Sequence, residues 1–333
     1  MDKLLCLDAM PNFLNAFDFS VAPQLLFYAY IPTVVVLLFL SLTIAIKDQF
    51  SLKSKILLTL GISFSLWVLN IIVQWVAVEA DIVYFAWQIT ALLEIFIPIS
   101  TLYLVYVFAE EGDVKISLKT FFALIIAIVA IFLPTSFNMS GFDIYNCEGV
   151  VGPLTYYIYA FEILAVLWAF FVGFRKYKIL SMDKIANNNK IKQIKLITMS
   201  SVLFLLIFSL SNIAGELSQI YSINLLGPIG MVVFVTIISY MIVRFNAFNI
   251  KLIAAQALIW AVAILIGAQF FFIKTTINYF LNGFTFVVTI ILGNYLVSSV
   301  KREIEQKEYL QVLNVELKDL LKQRESLVHL ITH

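Results

Sequence analysis

Nine long apolar stretches alternate with short polar connections along the chain, at roughly 24–46, 56–78, 82–108, 119–137, 154–174, 196–219, 224–244, 252–273 and 279–300. A helix crossing the hydrocarbon needs about 20 mainly apolar residues, so each stretch predicts a transmembrane helix. No short segments alternate with period two, which disfavours a β-barrel. In lipid the backbone must satisfy its own hydrogen bonds, and helices do that. The pattern changes after Val300: residues 301–333 are polar and free of Gly and Pro, so the ninth helix can continue into them. From Tyr279 to His333 that helix would be about 80 Å long. Within it Leu310, Leu313, Leu317, Leu320, Leu327 and Ile331 follow a 3–4 spacing, interrupted by Arg324. That is a coiled-coil dimer seam, with a register shift near residues 305–309. An amphipathic helix on the inner leaflet fits less well, because the tail's six basic and six acidic residues are mixed around it. The fold class expected is all-α: a polytopic membrane helix bundle ending in a C-terminal coiled-coil helix.

Composition sharpens this picture. Of 333 residues, 62% are hydrophobic and 13% charged, against about 25% charged in a soluble domain. A soluble enzyme and a disordered chain are excluded. The net charge of +1 gives no basic field for nucleic acid. Basic residues set the orientation. With the N-terminus outside, 20 of the 22 Lys and Arg residues lie inside, leaving Lys3 and Lys274 outside. The expected topology is N-out/C-in in the cell membrane, with a cytoplasmic tail. No convincing signal peptide precedes the first span, because Asp2, Asp8 and Asp18 interrupt residues 1–23. The longest connections are 138–153 outside and the basic 175–195 inside. Cys6 and Cys147 both fall outside, where they either form a bridge or stand as two separate thiols.

Ionisable residues within spans point by default to function. There are three: Glu94, Glu162 and Glu216. Polar companions lie at helical spacing: Thr90 and Thr101 with Glu94; Ser63, Trp67, Asn70 and Gln74 on the second span; Ser209, Asn212 and Gln219 with Glu216. Tyr28, Tyr30, Trp75, Tyr84, Trp87, Tyr156, Tyr157, Tyr159 and Tyr221 crowd the outer half. Together they suggest an outward-opening pocket for a small ligand. A plainer reading assigns the aromatics to interfacial belts and the amides and hydroxyls to ties between helices. With no basic partner in the spans, the carboxyls are open to pH or cation sensing. Pro32, Pro98 and Pro228 fall within spans and serve as hinges or static kinks. No lysine lies within a span to carry a retinal Schiff base, and no protease-like nucleophile–base set occurs.

The tail ends RESLVHLITH. His329 and His333 share a helix face but make a poor metal site without a third ligand. The segment resembles the start of the H-box of sensor histidine kinases. In it an apolar pair and a Ser/Thr precede a reactive His, here Leu327, Val328, Thr332 and His333; His329 departs from the usual small polar residue. The whole chain resembles histidine kinases with an N-terminal seven-helix membrane sensor, including two further spans and a run like SVKREIEQKEYL. The resemblance implies a sensor region at 1–245, two further spans at 246–300, and a signalling coiled coil with the start of the dimerisation helix at 301–333. It implies a homodimer through the tail, His333 as phosphoacceptor and a response regulator as partner. It also implies ATP and Mg for a catalytic domain, whose Gly-rich loop and metal ligands this sequence does not contain. The expectation is a fragment of a longer kinase or a truncated gene model, a chain that cannot phosphorylate itself. The competing reading is a secondary transporter or channel-like protein using the intramembrane Glu residues.

Overall fold

Seven helices and one β-hairpin follow one another in the computed structural model, which describes residues 30–182 and 188–245, together with Cys6, Phe17, Asp18, Pro23, Leu26 and single positions between Gly267 and Leu321. The helices are α1 (Ile31–Lys47), α2 (Leu52–Val76), α3 (Ala80–Glu110), α4 (Ile116–Phe132), α5 (Pro153–Met182), α6 (Asn188–Ser218) and α7 (Gly227–Phe245). The hairpin strands β1 (Met139–Asp143) and β2 (Glu148–Val151) stand between α4 and α5. A 3₁₀ turn, Tyr221–Leu226, leads into α7. Five helical segments are long and apolar enough to cross a membrane: α2, α3, α5, α6 and the run Ser222–Ile242. The apolar α1 and α4 are shorter, at 17 residues each. The protein is a membrane-embedded helical bundle.

Expected spans eight and nine fall mostly outside the described residues, as do Leu310, Leu327, Ile331, His329 and His333. The tail positions that are described, including Leu313, Leu317 and Leu320, are helical, and those three leucines are exposed in the single chain.

The ends of the elements follow from local chemistry. Left-handed residues at Gln49 and Phe50 turn the chain between α1 and α2. Ser51 then caps α2 by accepting from the Ser54 amide at 3.4 Å. Glu111 takes the left-handed conformation after α3, and Gln219 does so after α6. Two of the three span prolines stand in first turns, Pro32 in α1 and Pro228 in α7. There a missing N–H breaks no ladder bond. Of the three, Pro98 alone lies beyond the first turn of its helix. It removes the donor that would have met the Glu94 carbonyl one turn earlier. Helices α5 and α6 extend well into the expected loop 175–195. Hydropathy ends at the membrane surface, but Lys and Arg are good helix formers and carry the helices onward.

Helix α3 is the centre of the bundle. It packs against α2, α4, α5 and α6; α6 also packs against α5 and α7, and α1 lies on α2 and α7. The core of α2, α6 and α7 is aromatic. Trp67 meets Phe208 edge-on at 4.9 Å between ring centroids, and Phe204 meets Phe234 at 5.8 Å. In lipid, helices associate through close packing rather than apolar burial, so small residues mark the closest contacts. Gly173 on α5 leaves no room for a Cβ against Thr198 on α6. Gly61 on α2 is pressed similarly by Ser41 on α1.

The two ends of the bundle differ. At one, the acidic turn 110–113 is held by lysines from three neighbouring helices. Lys176 reaches Glu110 at 3.4 Å, Lys190 reaches Glu111 at 2.6 Å, and Lys119 pairs with Asp113. At the other end stand the hairpin and a Cys6–Cys147 disulfide, which closes a loop across 141 positions. The Cys6 amide donates to the Val78 carbonyl at 3.0 Å and the Asp18 amide to Val76 at 2.7 Å. Cys6 and Asp18 are thereby tied to the α2–α3 connection.

Candidate functional site

The disulfide end holds two adjoining cavities. The deeper one, about 70 Å³, is walled by α2, α3, α5 and α6 and covered by the hairpin. A vestibule of about 270 Å³ sits beside the disulfide. Ile71, Gln74, Trp87 and Asn224 line both, so they form one pocket in two parts.

The polar wall of the deep chamber comes from residues one or two turns apart on three helices. Gln74 is on α2, Thr90 and Glu94 on α3, Asn212 and Glu216 on α6. Asn212, 2% exposed, donates its Nδ2 to Glu94 Oε1 at 2.5 Å. That bond fixes the amide orientation, because a carboxylate oxygen takes a donor. It leaves Asn212 Oδ1 without a hydrogen-bond partner. Glu216 accepts from Gln219 Nε2 at a long 3.4 Å. Glu162, on α5, is fully buried, and neither of its oxygens meets a hydrogen-bond partner. Its polar neighbours are Glu94 and Ser209. The Glu94 and Glu162 carboxyls thus meet across α3 and α5 with Asn212 as the donor between α3 and α6.

Asn70 is placed differently. Its Nδ2 donates to the Ala86 carbonyl and to Thr90 Oγ1, each at 3.0 Å, which ties α2 to α3. Gln74 repeats that tie, donating to Thr90 Oγ1 at 2.6 Å, but also lines the pocket. The aromatic residues divide in the same way. Trp67, Trp87 and Tyr159 line the deep chamber and Trp75 the vestibule. Tyr84, Tyr156 and Tyr157 face outward as a belt would. Tyr30 is fully buried and donates its hydroxyl to the Asn224 carbonyl at 3.1 Å. The Trp67 Nε1 donor meets no partner.

Three contributors were not singled out from sequence. Asn224 lies in the 3₁₀ turn against Gly215, which has no space for a Cβ, and its Oδ1 is unpartnered. Asn138 pins the hairpin to the bundle, donating to the Gln88 carbonyl at 2.9 Å and the Leu133 carbonyl at 3.0 Å. Gly149 lets β2 approach Trp87, since a Cβ there would stand 2.8 Å from Met139 Sδ and 3.0 Å from the indole. The signal for the hairpin was the Asp143–Asn146 pair, whose side chains close the turn at 2.8 Å.

The ionisable side chains among the described lining residues are acidic. Glu94 and Glu216 line the chamber, and Asp18 and Glu148 the vestibule. Among the described residues no Lys, Arg or His lines either cavity. Burial, with Asp143 and Glu216 nearby, pushes the Glu148 carboxyl above the usual range. Among the described residues no group of three or more His, Cys, Asp or Glu could hold a metal ion. Such a pocket can bind and hold a small ligand. Among its described lining residues there is no nucleophile–base pair for covalent chemistry. Comparison with known proteins finds no matching family model, no matching curated protein and no matching solved structure.

Proposed function

We propose that the chain is the membrane sensor and signal-transmitting part of a two-component sensor histidine kinase. A stimulus bound in the bundle is relayed through the last span and the tail helix to His333. The observation that carries this reading is the polar chamber at one end of a membrane bundle, built from α2, α3, α5 and α6 and holding Glu94 and Glu216. The disulfide at that end supports placing it outside, since disulfides persist in oxidising compartments. The lysines gathered at the other end support placing that end in the cytoplasm. The exposed leucines Leu313, Leu317 and Leu320 support a homodimer whose seam they form. A ligand moves the equilibrium only if it binds two arrangements unequally. Pro98, inside α3 one turn from Glu94, is where two arrangements would differ.

The test is phosphohistidine mapping at neutral pH on the protein expressed from its own gene. Phosphate on His333, lost in His333→Gln together with the downstream response, supports the reading. A response that persists in His333→Gln contradicts it. The second reading, a cation-coupled transporter, is favoured by one observation: the buried Glu94–Glu162 contact with no basic partner among the polar neighbours of either. Electrogenic flux in proteoliposomes, abolished by Glu162→Gln, would replace the first reading with this one.

A further inference from the structure

We infer that the groove between α3 and α5, at the lysine-rich end of the bundle, binds an anionic glycerophospholipid whose phosphate sits on Arg175 and Lys176. Such a site needs only that the bundle lies in a membrane, and is independent of the receptor reading.

The groove measures about 240 Å³. Trp168, Val172, Arg175 and Ile179 recur at three- and four-residue spacing along α5, with Lys176 beside them, and line it together with Tyr106 and Glu110 of α3. Arg175 is the first basic residue after the apolar stretch 154–174. The groove therefore straddles the level where hydrocarbon gives way to head groups. Its chemistry changes along that depth. At the inner level Trp168 donates its Nε1 to the Tyr106 hydroxyl at 2.8 Å. Rings of α4 hold the indole, Phe121 at 5.9 Å and Phe122 at 6.4 Å between centroids. The Tyr106 hydroxyl accepts there and keeps its own hydrogen, which no described acceptor meets. Two turns further along α5, about 10 Å, stands Arg175, without an ion-pair or hydrogen-bond partner among the described residues. Lys176 reaches Glu110 at a long 3.4 Å, and an exposed pair of that kind holds its members weakly. Arg175 and Lys176 against Glu110 leave the described lining positive.

An anionic glycerophospholipid matches both levels. Its phosphate oxygens meet a guanidinium and an ammonium in charge-assisted hydrogen bonds. Its ester carbonyls, nearer the acyl chains, are acceptors for the Tyr106 hydroxyl. Phe171 and Ile179, exposed at the groove, offer the chains an apolar surface. The positive-inside rule places this end at the cytoplasmic leaflet, where anionic lipids gather. A free phosphate would use the basic pair and leave Tyr106 and the apolar surface unused. A choline lipid brings its own cation towards Arg175. A second copy of the chain, packed here about a two-fold axis, would bring its own Arg175 to the same place.

The test uses the full chain, disulfide intact, in nanodiscs of phosphatidylcholine that carry a varied fraction of one lipid with brominated acyl chains, either phosphatidylglycerol or phosphatidylcholine. Bromine quenches a nearby indole, and the Trp168 signal is the difference between the parent and Trp168→Phe. The expected result is quenching of Trp168 by brominated phosphatidylglycerol with an apparent affinity about fivefold or more above that of brominated phosphatidylcholine. Arg175→Gln should remove most of that preference, and Glu110→Gln, which frees Lys176, should raise it. Lys47→Gln, at an exposed position ending α1, should leave it unchanged. Equal quenching by the two lipids overturns the inference. A preference that Lys47→Gln lowers as much as Arg175→Gln also overturns it, because general attraction to a charged bilayer then suffices. If Arg175→Gln does not fold, the parent's preference and the sign of the Glu110→Gln effect decide. Displacement of the brominated phosphatidylglycerol by millimolar inorganic phosphate or glycerol 3-phosphate assigns the groove to a soluble phosphate and overturns the lipid. Cross-linking of Phe171→Cys between two chains, in place of quenching, assigns it to a second copy and overturns the lipid equally.

Discussion

Glu162 is a fully buried carboxyl with no hydrogen-bond partner and a second carboxyl as neighbour. Such a residue is costly to keep, so its replacement separates stability from function. Glu162→Gln would place an amide donor beside Glu94 and remove the contact between two carboxyls. The expected outcome is a protein more stable by about 1 kcal/mol, or about 2–4 °C in melting temperature, and impaired in its response. A variant that melts lower would show that Glu162 is met by a group that compensates it. Glu148 makes a pH prediction. Its carboxyl is pushed up in the folded state, so the folded protein holds that proton more tightly than the unfolded chain does. Its contribution is therefore fully present below the unfolded value of about 4.3 and is lost as pH rises through the higher folded value. Glu148→Gln should melt above the parent at neutral pH, and the gap should close below about pH 4. A gap independent of pH would assign the effect to packing.

At the scale of elements, the closest helix contact makes a sharp test. Gly173 has no space for a Cβ against Thr198. Gly173→Ala should cost about 1–3 kcal/mol by overpacking α5 against α6, and adding Thr198→Ala should restore most of it. Additive losses in chemical denaturation would contradict that contact. The disulfide makes another. It ties Cys6 to the hairpin and lines the vestibule, so Cys6→Ser and Cys147→Ser should each cost about 2–5 kcal/mol, with the double variant losing no more than either. The elements were legible in sequence to very different degrees. Seven helices occupy the first seven apolar stretches, because hydropathy reports the solvent that each segment faces. The helical extensions of α5 and α6 were hidden because hydropathy says nothing about a helix that leaves the membrane. The hairpin was hidden because its strands are four and five residues long and owe their pairing to an Asx-closed turn and to Asn138.

At the scale of the molecule, charge in the spans located the pocket, and geometry divided its residues. Glu94, Asn212, Glu216 and Gln74 converge on one chamber, with Glu162 behind it, while Asn70 is spent on tying α2 to α3. A helical wheel cannot make that distinction, because residues four apart on one face can look into a cavity or into a neighbouring helix. Asn224 was illegible for a related reason: its place depends on the absent side chain of Gly215 on another element. The Cys6–Cys147 pairing required a distance, and the structure supplies one, with the Cα atoms 5.6 Å apart. The whole arrangement makes sense as a device if the chamber and the tail share an equilibrium. A receptor predicts that a change of one buried carboxyl alters the pairing of helices far along the chain. The most direct measurement is the cross-linking rate of Leu317→Cys in membranes, compared between the otherwise native chain and Glu94→Gln, with the Cys6–Cys147 bridge left oxidised. The account predicts a tail dimer whose cross-linking rate shifts by about fivefold or more. Equal rates in the two proteins, or a tail that forms no cross-link in either, would contradict it.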